Sequence, residues 1–166
     1  MNRKTLLLPA LAVFLFANTA GAGDRLNADE ARNMVQPFYD LLSNKGSVEK
    51  AKAAFHADWR SHYSAEGYKT LDQTMGFFTG PLVKMIPDIN WKIVDVSVTD
   101  KNEIVVRGEG SGTPAGKSFF GKPVTGKSFK IMSIDIHQVK DGKIAKTYHI
   151  EDWAGAFKQL AAKPSN

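Results

Sequence analysis

Phe129-Lys-Ile-Met-Ser-Ile-Asp-Ile-His-Gln-Val-Lys-Asp-Gly-Lys-Ile-Ala-Lys-Thr-Tyr-His-Ile-Glu-Asp-Trp153 is the stretch whose reading decides the fold. Alternation and β-branched residues on both sides of Asp141-Gly142 predict two long strands joined by a tight turn. The first strand carries Asp135 and the second His149. A carboxylate and an imidazole on adjacent strands form an acid/base site when both face one pocket. Ser133, Asp135, His137 and Val139 share one face of the first strand; Met132, Ile134, Ile136 and Gln138 share the other. Taken alone, this alternation predicts the polar face in solvent and the apolar face in the core. The turn decides whether His149 joins Asp135. A two-residue loop pairs Lys140 with Lys143 and sets the two on opposite faces. A three-residue loop, Lys140-Asp141-Gly142 with Gly142 left-handed, sets them on one face. Local sequence leaves both registers open.

Upstream, Trp91 to Val98 and Glu103 to Gly110 read as two more strands around a turn at Asp100-Lys-Asn102. Gly108, Gly110 and Gly112 imply strong bending or close backbone approach. The chain before Pro87 has helical texture. Asn27-Ala-Asp-Glu30 is a capping box ahead of Ala31, Met34, Val35, Phe38, Leu41 and Leu42 at helical spacing. Ser47 caps a second helix expected to run through Phe55. Thr70-Leu-Asp-Gln73 opens a third, through about Phe78, which Gly80-Pro81 interrupts or ends. Downstream, Asp152 caps a last helix through about Ala162, with Trp153, Phe157 and Leu160 as its apolar stripe. Helices followed by consecutive strands predict an α+β domain, with the helices on one face of an antiparallel sheet. Bent, glycine-rich strands let such a sheet curl around a concave, mostly apolar cavity.

Arg3 and Lys4, the apolar run from Leu6 to Ala17 and then Ala20-Gly21-Ala22 read as a secretory signal peptide cleaved after Ala22. The run is too short to span a bilayer, so no membrane anchor is expected after cleavage. The expected location is therefore secreted or periplasmic, with residues 23–166 as a single domain. Losing Arg3 and Lys4 lowers the formal charge from +5 to +3. The remaining lysines are dispersed and do not interleave with aromatics, which argues against nucleic acid as a partner. There is no cysteine, so disulfides, thiol nucleophiles and Cys-based metal sites are excluded. His56, His62, His137 and His149 show no metal-binding spacing, and no phosphate cradle or nucleophile elbow is present, so neither metal nor cofactor is expected.

Three stretches carry a resemblance: Gly121-Lys-Pro-Val-Thr-Gly-Lys-Ser-Phe129, Ile134-Asp-Ile-His-Gln-Val-Lys-Asp-Gly-Lys-Ile144 and Trp153-Ala-Gly-Ala-Phe-Lys-Gln-Leu160. Phe55-His-Ala-Asp-Trp59, taken as the end of the second helix, and Gly108 to Gly116 support it. The chain resembles the SnoaL-like polyketide cyclases of the nuclear transport factor 2-like superfamily, over essentially all of residues 23–166. The resemblance implies a cone-shaped α+β barrel: a strongly curved antiparallel sheet with N-terminal helices packed on it, a deep pocket and a homodimer. In the cyclases a histidine on the penultimate strand and an aspartate on the last face that pocket, and the aspartate moves the proton in an intramolecular aldol closure. Aligned on Asp141-Gly-Lys-Ile144, Asp135 falls at the histidine position and His149 at the aspartate position, so the pair is exchanged. Ser133 stands at a family glutamine.

Asp135 and His149 are accordingly the candidate catalytic pair. Trp59, His62, Phe78, Arg107, Phe120 and Ser133 are the candidate substrate contacts. Each has a plainer alternative: core packing for the aromatics, a surface place for His62, and ion pairing with Glu109 or Glu103 for Arg107. His137, nearer the turn, is expected at the rim or surface, and Tyr148 is expected to pack away from His149. The expected ligand is a small, largely apolar organic molecule. Expected functions are cofactor-free cyclase, isomerase or hydratase chemistry, non-catalytic ligand binding, or dimerisation through the sheet.

Overall fold

Residues 25–161 are described by a computed structural model; the proposed signal peptide lies outside them. Helix α1 spans Ala28–Leu42. Its capping box forms as expected, with Asn27 accepting from the Asp29 and Glu30 amides while Glu30 returns a bond to the Asn27 amide. Ala31, Val35, Phe38, Tyr39 and Leu42 line its buried face. Helix α2 is shorter than expected, Val48–Ala53 behind the Ser47 cap. Phe55, expected inside it, begins strand β1, Phe55–His62. Phe55 and Trp59 bury as a pair with ring centroids 4.7 Å apart, and β1 takes its backbone partners from the last strand, so tertiary pairing overrides a weak helical signal. The short strand β2, Tyr68–Thr70, leads into α3, Leu71–Phe77, through the expected Thr70–Gln73 capping box. Gly80-Pro81 does not end this helix. It widens into a π turn over Phe78–Leu82 before a last α turn, α4, Val83–Met85.

The sheet follows with β3, Asn90–Val98, and β4, Glu103–Gly112, then a small hairpin of β5, Ser118–Phe119, and β6, Lys122–Pro123. Strand β7, Phe129–Lys140, and β8, Lys143–Glu151, are the two long strands of the deciding stretch. Helix α5, Trp153–Ala161, closes the described chain, with Asp152 accepting from the Gly155 amide. The six-stranded sheet has the order β2-β1-β8-β7-β4-β3. Every pairing is antiparallel except β1 with β8, which is parallel, so the expected all-antiparallel sheet is corrected at that one seam. The sheet stays open: β2 and β3 are its two edges. Helix α1 packs across it, and Phe38 meets Phe55, Trp59 and Phe78 at centroid distances of 5.3 to 6.2 Å.

The turn between β7 and β8 combines the two registers left open by the sequence. Asp141 and Gly142 both have positive φ, 49° and 71°, and Lys140 pairs with Lys143, so the loop has two residues. The register then slips: Val139 faces Ile144, but Gln138 faces Lys146. Ala145 is the extra residue of a β-bulge. That slip makes Asp135 the cross-strand partner of His149. It also decides which side of β7 is inside. Ser133, Asp135 and His137 are buried, whereas Met132 and Ile134 are exposed. The expectation from alternation is inverted: the polar face points in and the apolar face out.

Candidate functional site

A cavity of about 710 Å³ opens between the inner face of the sheet and the helices. Phe38 and Leu42 of α1, Phe77 of α3 and Phe78 and Leu82 of the π turn form one wall. Trp91 of β3 forms part of another, and Phe119, Phe120, Trp153 and Phe157 close the mouth. Trp91 is held by its surroundings. A Cβ at Gly110 would stand 2.6 Å from its ring, and one at Gly108 would stand 2.4 Å from Ser133 Oγ. The glycines of β4 are therefore the seat of the indole, which is the close approach that their spacing predicted. The indole N–H donates to Ser133 Oγ at 3.0 Å.

Polar groups enter this apolar space from β7 and β8. Asp135 and His149 both line the cavity. The bulge and the direct pairing of the two positions bring them there together. Ser133 donates to Asp135 Oδ2 at 3.3 Å. It is buried behind the carboxyl and holds it, rather than lining the wall. His149 Nδ1 lies 2.6 Å from Glu151 Oε1, so its ring bond is made to Glu151 and not to Asp135. Burial pushes the Asp135 carboxyl up from 3.8 to about 7; the charge of Glu151 adds to this, while His149, Tyr39 and Ser133 oppose it. Burial opposes the charge on His149, but the hydrogen bond and charge of Glu151, with Asp135, outweigh it and raise the imidazole above its ordinary value. The site thus presents a carboxyl that exchanges its proton near neutrality beside an imidazole biased toward the cation. Such a pair can take a proton from one atom of a ligand and deliver it to another.

The remaining expected contacts divide. Phe78 and Phe120 line the cavity. Trp59 does not: it is wholly buried and donates to Thr147 Oγ1 at 2.9 Å, a core role. His62 is on the other face of β1 from Ser61 and packs between Tyr68 and Tyr148 at 5.5 and 5.1 Å. It ends a strand, not a helix, and alternation turns it away from the cavity. Arg107 is exposed on the outer face of β4. His137, expected at the rim, is fully buried, with Nε2 3.2 Å from the Tyr39 hydroxyl and Nδ1 2.8 Å from Thr147 Oγ1. Tyr148 does lie away from His149, on the outer face.

Sequence reasoning missed Glu151, Tyr39 and the lysines Lys69 and Lys122 that also line or adjoin the site. Glu151 had a signal: it is two residues from His149 on one strand and so shares its face. Tyr39 had none, because its position on α1 reaches the site only through tertiary packing.

The chain belongs to the SnoaL-like polyketide cyclase family, whose sequence profile matches residues 33–160. Among solved structures it is similar to TsrD from Streptomyces laurentii, with 20% identity and a TM-score of 0.68 over 83% of this chain and 99% of that one. It is also similar to IdmH from Streptomyces antibioticus, described as a candidate polyketide cyclase, with 20% identity and a TM-score of 0.67 over 80% and 99% of the two chains. A third is a protein of ketosteroid isomerase-like fold from Catenulispora acidiphila, solved with trimethylamine, with 14% identity and a TM-score of 0.60 over 78% and 93%. These likenesses establish the fold. No curated protein matches the sequence.

Proposed function

We propose that this protein is an exported member of its family that binds a small, largely apolar organic molecule in the cavity and moves a proton on it without a cofactor. The observation that carries the reading is the pairing of Asp135 with His149 at one wall of an otherwise apolar cavity. Asp135, with its carboxyl near 7, takes or returns a proton at a carbon or oxygen of the ligand. His149, oriented through Nδ1 by Glu151, supplies positive charge or a proton to the group that becomes negative. Cyclisation, isomerisation and hydration all fit these roles. General acid/base help of this kind contributes roughly 10²–10⁴ in rate, and the aromatic walls would supply the positioning that completes it. Export rests on the reading of residues 1–22 as a signal peptide.

A second reading is a non-catalytic carrier of the same ligand class. It is favoured by the ring bond of His149, which is already satisfied by Glu151. In either reading the exposed apolar residues Met132, Ile134 and Ile150 on the outer face of the sheet are the surface through which two copies would pair.

The experiment is mass spectrometry of small molecules that co-purify with the full chain, recovered from the periplasm of the expressing cells, for the wild type and for Asp135→Asn. The expected result is that both retain an apolar molecule and only the wild type converts it on incubation. Equal conversion by both proteins would refute the role of Asp135. Retention of one unaltered molecule by both would establish the carrier.

A further inference from the structure

Thr74, on α3, lines the cavity and is only 4% exposed, yet its hydroxyl has no hydrogen-bond partner among the described residues. A helical threonine ordinarily returns its hydroxyl to a carbonyl of the preceding turn. Thr79 does so, donating to the Met75 carbonyl at 3.0 Å. Thr74 does not. Burying an unpaired hydroxyl is costly, and in a cavity wall the partner it lacks is one that a ligand can supply. Helix α3 packs against the end of the sheet formed by β1 and β2. Ser61 of β1 also lines the cavity and is buried. Lys69 of β2 is the direct cross-strand partner of Ser61, so the two side chains leave the sheet on one face, and Lys69 lines the cavity as well. The Lys69 ammonium stands 4.5 Å from the ring centroid of Tyr63 and 5.8 Å from that of Phe77. Phe77 is three residues from Thr74 on α3 and shares its face. Thr74, Ser61 and Lys69 thus belong to one corner of the cavity, where α3 meets β1 and β2.

We propose that this corner is a carboxylate subsite and that the ligand is an amphipathic monoacid: its apolar body lies among the aromatic walls, and its carboxylate accepts from the Thr74 and Ser61 hydroxyls beside the Lys69 ammonium. A hydroxyl donates or accepts, but an ammonium only donates, so the group that suits all three is an acceptor with negative charge. Hydrogen bonds to an ionised acceptor are the stronger kind, and they make burial of a carboxylate tolerable. Lys69 is exposed and forms no ion pair among the described residues, so no carboxylate of the protein neutralises it. One ammonium matches one negative charge, and Asp135 and Glu151 on the same cavity wall disfavour a dianion. Tyr63 links the corner to the acid/base pair, since its ring centroid is also 6.5 Å from that of the His149 imidazole. The carboxylate is therefore held about one aromatic ring away from His149, which fixes the part of the ligand body that reaches Asp135.

The assignment rests on the cavity as a binding chamber, but not on any proton transfer within it. Fluorescence titration of the full chain at about pH 6, where a free carboxylic acid is ionised, tests it with probes of one shape: 2-naphthoate, 2-acetylnaphthalene and 2-isopropenylnaphthalene. The wild type is expected to bind the acid about tenfold more tightly than the hydrocarbon, with the ketone between them. Thr74→Val keeps the shape and removes the hydroxyl. It is expected to weaken naphthoate binding about tenfold and to hold or raise the melting temperature, because an unpaired buried group goes with it. Thr74→Ser is expected to keep the preference. Lys69→Met is expected to weaken the acid several-fold and the ketone not at all, whereas Lys122→Met, on the β5–β6 hairpin at the mouth, leaves the order unchanged. A Thr74→Val protein that melts lower and binds the acid as before would overturn the subsite, as would a preference lost in Lys122→Met and kept in Lys69→Met. Equal binding of acid and hydrocarbon by the wild type would refute the subsite and leave the proposed function intact; binding of no probe would refute both. Equal conversion by the wild type and Asp135→Asn would leave the acid preference standing.

Discussion

Asp135 and His137, two positions apart on β7, set opposite limits to the pH range of this fold. An unfolded Asp135 ionises above its ordinary 3.8, while the native carboxyl holds its proton to about 7. The stability linked to it is full below 3.8 and is lost as pH rises through about 7. His149, raised in the native state, also contributes below its ordinary value and loses that contribution as pH rises. His137 runs the other way: neutral in the core, it contributes fully above 6.5 and loses this as pH falls toward about 3. Asp135→Asn is therefore expected to stabilise the protein at about pH 8 by about 2 to 4 kcal/mol, with little gain at about pH 4. Urea denaturation at the two values measures it, and an equal effect at both would contradict the raised carboxyl. If Asp135 moves the proton as proposed, the same substitution abolishes conversion, and stability and chemistry would then pull against each other at this position. The sequence showed Asp135 and His149 as candidates because both are polar groups in apolar strands. It could not show the burial of His137, because the partners that make burial tolerable, Tyr39 and Thr147, come from elements far away in the chain.

The β7–β8 hairpin shows where local reading stops. Asp-Gly announced a tight turn and left its length open; the two-residue loop that forms would by itself put His149 on the wrong face, and the single extra residue at Ala145 restores it. Nothing in Lys143-Ile-Ala-Lys146 marks a bulge; it is selected by what both strands must bury. Helix caps, in contrast, were legible at Asn27, Ser47, Thr70 and Asp152, because a cap is a contact within a few residues. The β5–β6 hairpin adds a different lesson. Its turn residues, Phe120 and Gly121, have φ of 46° and 76°, a geometry that favours Asn-Gly. Phenylalanine in this place carries backbone strain of about 1 kcal/mol or more. The ring is 60% exposed, yet it stands over the cavity mouth, 6.0 Å from Trp153 and 6.1 Å from Phe157. Phe120→Asn is expected to hold or raise the melting temperature while reducing ligand retention several-fold. A lower melting temperature with unchanged retention would show that the ring serves the fold and not the ligand.

The α+β architecture and the family were readable from the order of elements and from the Gly121–Phe129 and Ile134–Ile144 segments. The inside-out polarity of β7 was not, because the polar face that alternation assigns to solvent lies instead against the cavity and the core, and the apolar face is exposed. Ile134 pairs with Ile150 on that outer face, Met132 lies on it too, and the three are 37%, 75% and 55% exposed. If two copies meet there, Ile150→Glu is expected to convert a dimer to a monomer in sedimentation equilibrium without disturbing the Asp135 titration; a wild type that sediments as a monomer would remove the pairing. The helical wall opposite the sheet is built differently. Its π turn, Phe78–Leu82, holds one residue more than an α-helix would use for the same advance, and it supplies Phe78 and Leu82 to the cavity. A one-residue deletion within it would re-form a regular helix and rotate those two side chains, while both flanking helices kept their seats. The chamber can thus be resized by single-codon loss or gain, so a lineage can change what it accommodates without rebuilding the scaffold around it.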